Sequence, residues 1–207
     1  MASAGSLVSR LLVGLVLLLV ALGGAGLAVA ADPPHTGDRR PELTACADRE
    51  FEPWRARMIE QLIAANVSLA GMALAGREVL TGIYTRDLAG QDAALARGAE
   101  DGDGVRTARE ALLGVRLELA AELPATRLSR ANRDLLSATD EIVVALSEVP
   151  GAWDRLAAAA RSAAEMVESS GEHDESVAEA FGPPIVEALV VIERARGSVA
   201  ATLDGPP

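Results

Sequence analysis

From Thr44 to Leu88 the chain repeats apolar residues at helical spacing with no break strong enough to stop a helix. Phe51, Ile59, Leu62, Leu69, Ala73 and Leu80 share one arc when residues are placed about 100° apart, and Arg57, Glu60 and Glu78 fall opposite. Pro53 is the weak point, where fraying or a kink is expected. At its full length such a helix runs about 60 Å. One helix cannot bury its own apolar arc, so this one demands partners of comparable length and predicts an elongated bundle.

The rest of the chain supplies them. Helices are predicted over about 105–123, ending at Pro124, and over about 129–149, ending at Pro150-Gly151. An Ala-rich helix continues over 152–169, with Gly171 as terminator. A short helix over 172–181 is expected to break at Gly182-Pro183-Pro184, and Pro184 suits the first turn of a last helix reaching Leu203. Gly98 to Gly104 (GAEDGDG) reads as a loop. No segment alternates like a strand. The expected fold is all-α, an up-down bundle of four to five helices forming a single domain over 44–204.

Ahead of this lies an uncharged apolar run, Leu11 to Ala31, preceded by Arg10. Gly23, Gly24 and Gly26 break it before a small-residue end, with Val29 and Ala31 placed for cleavage before Asp32. The expectation is a signal peptide over 1–31. An uncleaved membrane anchor is the alternative, since about 20 apolar residues span a bilayer. Either way the remainder of the chain is exported: a Pro-rich polar linker over 32–43 and then the bundle. The last helix, with Glu187, Glu193, Arg194 and Arg196 in it, is too short and too charged to cross a membrane.

Composition narrows the chemistry. A net charge of −11 argues against a nucleic-acid or anionic-lipid surface, which needs clustered cations. All 19 cations are Arg, so Schiff-base and P-loop lysines are absent. Aromatics make up 2% of residues, which leaves little for stacking sites. The single cysteine, Cys46, excludes an internal disulfide. Its setting, Leu43-Thr44-Ala45-Cys46, has the local look of a lipobox, but charged residues separate it from the apolar run; a small residue near a helix start suits it better. No cofactor is expected.

Three groups of residues are candidates for a site. Asp101-Gly102-Asp103-Gly104 with Glu110 partly resembles an EF-hand loop, the acids standing at its third, fifth and twelfth positions. Ala99 at the first position and Arg106 at the eighth depart from that pattern, and an acidic turn capping the next helix uses the same residues differently. Glu172, His173, Asp174, Glu175 and Glu179 cluster in sequence, but on a helix His173 points away from the acids. Finally, Arg55, Asn66 and Arg77 recur every eleven residues, and Tyr84 joins their line inside the apolar arc. Arg77 and Tyr84, about 10 Å apart along the axis, could bind an anionic ligand in a groove. Alternatively the arginines pair with carboxylates such as Glu118 or Glu141.

Two histidines, neither placed beside a patterned Ser or Cys, make a hydrolytic triad improbable. The expected function is that of an exported, non-catalytic interaction protein whose partner is another protein or a second copy of itself. It should carry an exposed apolar strip, for example on the last helix. The alternatives are a small exported helical enzyme or ligand-binding protein using Arg77 and a carboxylate, and a weak calcium binder at 99–110.

Overall fold

The computed structural model describes residues 41–171 and 175–205. The apolar run and nearly all of the linker lie outside this range, as do Glu172, His173 and Asp174. Among the described residues four helices run in order: α1 (Pro41–Thr85), α2 (Gln91–Glu122), α3 (Arg130–Ser170) and α4 (Glu175–Leu203), with a 3-10 turn at Ala125–Arg127. No strand occurs among the described residues. They form an up-down bundle in which each helix packs antiparallel to the next and α4 returns to α1.

The long first helix is present, 45 residues without interruption at Pro53. Phe51, Leu62, Leu69 and Ala73 from the expected arc are fully buried, and Leu80 packs at the core edge. Thr44–Thr85 is long and apolar enough to cross a membrane by length and composition alone. Within the bundle its inner face joins the core with Leu112 and Leu119 of α2, Leu146 and Leu156 of α3, and Ile185 and Ile192 of α4.

Three expected breaks are corrected. Gly98 to Gly104 is not a loop; it lies inside α2. Its glycines receive neighbouring side chains: a methyl group at Gly98 would overlap the Trp153 ring of α3, and one at Gly104 would overlap Ser68 of α1. Gly102 lies buried beside Met72. The close approach outweighs the helix-propensity cost of roughly 1 kcal/mol per glycine. Pro150-Gly151 does not end a helix, so the predicted helices 129–149 and 152–169 are one, α3. Gly182-Pro183-Pro184 likewise lies within α4, which joins the two helices expected there. The lost N–H groups of Pro183 and Pro184 would have bonded the carbonyls of Glu179 and Ala180, both at exposed residues where water substitutes.

The helix ends match sequence chemistry more closely. Gly171, with φ 69°, closes α3 as expected. Ser129 caps its start, accepting from the Asn132 amide at 3.4 Å. Asp48 of α1 reaches the same end, accepting from Ser129 N at 3.0 Å and Asn132 Nδ2 at 2.8 Å. These bonds, the Ser129 amide first, hold the Asp48 carboxyl below its usual range against an opposing desolvation effect.

Candidate functional site

The bundle leaves one helix face apolar and uncovered. On α1 no charged residue occurs between Glu60 and Arg77. Most of the large residues in that interval point inward, but Ile63, Val67 and Leu74 remain 51%, 66% and 59% exposed. With half-buried Ala70 they have 4-3-4 spacing, which places all four on one stripe of the helix. Glu60 and Arg77, both exposed, stand at the next positions of the same pattern at either end. The apolar strip expected for a docking surface therefore exists, on α1. On α4 the only large exposed apolar residue among those described is Val190, at 40%.

Arg77 and Tyr84 lie along the seam between α1 and α4. Arg77 pairs through Nη2 with Glu193, which also accepts from Arg196 at 3.4 Å. The Tyr84 ring rests over Gly182, whose missing Cβ leaves it room. The Arg77 side chain is 55% exposed, and neither it nor Tyr84 lines the groove between α2 and α3 or the groove at the α1–α2 turn. Its carboxylate partner, Glu193, is half-buried at that seam, with a side chain 22% exposed. Asn66, on the same line, keeps a buried Oδ1 that meets no hydrogen-bond donor among the described residues. Arg55 pairs with Glu52 on the surface, and Glu118 pairs with Arg57, not with the arginines of the line.

Asp101, Asp103 and Glu110 all lie on α2, so the EF-hand-like loop is corrected: its backbone is a continuous helix. A loop of that kind wraps its ligands around the ion, which a helix cannot do. Asp101 faces Gly71 of α1 at the helix interface, and burial, then the nearby Glu100 charge, pushes its carboxyl up. Asp103 is exposed and pairs with Arg106 at 2.9 Å. The acidic turn capping a helix at Val105 is absent for the same reason. No group of three or more His, Cys, Asp or Glu among the described residues could hold a metal ion. Glu175 and Glu179 are exposed on α4.

Sequence reasoning missed two features. A groove of about 330 Å³ runs between α2 and α3, floored by Leu95, Ala99 and Trp153, with Asp92, Asp154 and Arg161 on its rim. A second, of about 320 Å³, lies where the α1–α2 turn meets Glu78 and Arg97, which are themselves ion-paired. A partial signal for the first was present: Gly98 marks the place on α2 where a large neighbour, here Trp153 of the groove floor, can approach. Gln91 shows the same blind spot, its buried amide donating to the Ala160 carbonyl of α3 at 2.6 Å.

Cys46 lies exposed near the start of α1, 3.9 Å from Glu50 Oε1. Compared with known proteins, the chain matches no family model, no curated protein and no solved structure. The fold is thus defined by its own geometry: an all-α, four-helix up-down bundle.

Proposed function

We propose that this chain is an exported, non-catalytic interaction protein that binds a protein surface through the outer face of α1. The α1 stripe carries the reading. Three large apolar side chains more than half exposed on one line, over a span free of charge, favour docking over solvation. Export rests on the composition of residues 1–31, with its Leu/Val-rich run and small-residue end. The calcium reading loses its loop, and the enzyme reading finds its Arg77–carboxylate pair outside any described groove.

The test is site-specific photocrosslinking in the native host. A photoreactive residue at Val67 should capture a protein, while the same residue at exposed Ala158 on α3 should not. Equal, background capture at both positions would overturn the proposal.

A further inference from the structure

The α1 stripe has a built-in polarity, and we infer from it that the occupant is a second copy of this chain, docked antiparallel. This rests on the docking reading of the stripe and names the partner. The stripe has the 3-4 alternation of a coiled-coil seam: Glu60, Ile63, Val67, Ala70, Leu74 and Arg77. Its four inner positions are apolar and its two ends carry opposite charge. A parallel partner would set Glu60 against Glu60 and Arg77 against Arg77. A two-fold axis that reverses the helix sets Glu60 against Arg77 at both ends. The same operation sets Ile63 against Leu74 and Val67 against Ala70, so each large side chain at the centre meets a small one.

The charges are available for this. Glu60 is exposed and makes no ion pair or side-chain hydrogen bond among the described residues. Arg77 engages Glu193 through Nη2 only, and its five-donor fork leaves other N–H groups for a second carboxylate. A heterologous partner needs no such symmetry, and a lipid surface would favour cations at both ends, whereas Glu60 stands at one end and Glu78 beside Arg77 at the other. The apolar part of the seam, Ile63 to Leu74, is about three turns long, shorter than an interface of standard size, so the dimer is weak and assembles at high local concentration.

The experiment uses the chain as its host matures it, with Cys46→Ser as background. Ile63→Cys and Leu74→Cys chains are treated with a short bismaleimide, separately and mixed. Antiparallel docking puts residue 63 beside 74 of the other copy, whereas like residues lie about 16 Å apart. Crosslinked dimer should therefore form in the mixture and at least several-fold less in either chain alone. Val67→Asp should abolish it without lowering the melting temperature, since Val67 is 66% exposed. Crosslinking of each chain alone, with no gain on mixing, would mean a parallel pair and overturn the inference. If the chain stays monomeric at high concentration while the Val67 photoprobe captures a different protein, the self-docking fails and the interaction reading stands. If the probe captures nothing, both fail.

Discussion

Single residues decide how closely these helices approach, and the glycines of α2 are the sharpest case. Gly98 lies under Trp153, which is only 5% exposed. Gly98→Ala must displace that ring, so overpacking should win over the gain in helix propensity, for a net loss of about 1–2 kcal/mol. Gly114, on the same helix, has no atom within 4 Å of where a Cβ would stand. Gly114→Ala should therefore stabilise by about 0.5–1 kcal/mol. Urea unfolding of the two variants checks the contrast. Equal shifts would mean that helix propensity alone governs α2.

At the level of the helix, ends and interruptions behaved differently from the continuous stretches. The long α1 was legible because its apolar period runs unbroken through Pro53, a residue exposed on the outer side. The continuity of α2, α3 and α4 was not legible, because local signals price Gly and Pro in isolation. The pair Pro150-Gly151 is flanked by Val149 and Ala152, both fully buried, and the packing of the whole helix exceeds the roughly 3 kcal/mol that an interior proline costs. The same limit hid the site: the spacing of Ile63, Val67 and Leu74 was readable, but which face the neighbours leave uncovered depends on where α2 and α4 pack. Arg77 was read either as an anion-binding residue beside Tyr84 or as the partner of a carboxylate such as Glu118 or Glu141; the carboxylate it meets is Glu193, 116 residues away, and only the tertiary fold selects it.

The start of α3 offers a test at this scale. Asp48 has a folded-state pKa below its ordinary value, so its stabilising contribution is present above that ordinary value and is lost as pH falls through the folded one. Asp48→Ala should lower the melting temperature at pH 7 by a few degrees, on the order of 1 kcal/mol for the lost bonds. The gap from the unmodified chain should close as the pH drops below about 4. A gap that is constant with pH would mean that the carboxylate charge plays no part in holding α1 to α3.

For the whole molecule, a continuous α2 makes a clear statement about calcium. Millimolar calcium should leave the melting temperature unchanged, for the chain and for Asp103→Ala alike. A rise of several degrees that Asp103→Ala removes would show that the helix gives way to a binding loop.

The pairing of α1 with α4 also bears on the order of events during synthesis. Arg77 and Tyr84 leave the ribosome long before Glu193 and Gly182, which complete their seam. Until then α1 packs along α2 and meets α3 through the Asp48 bonds, and the first half of α2, rich in glycine, waits for Trp153 to lock it. An emerging chain therefore presents its longest helix half-wrapped, and the ring shuts only with the last-made helix. Such a polypeptide cannot close its bundle until its end is made, so loss of the last helix should leave the first without its seam rather than merely shorten the bundle.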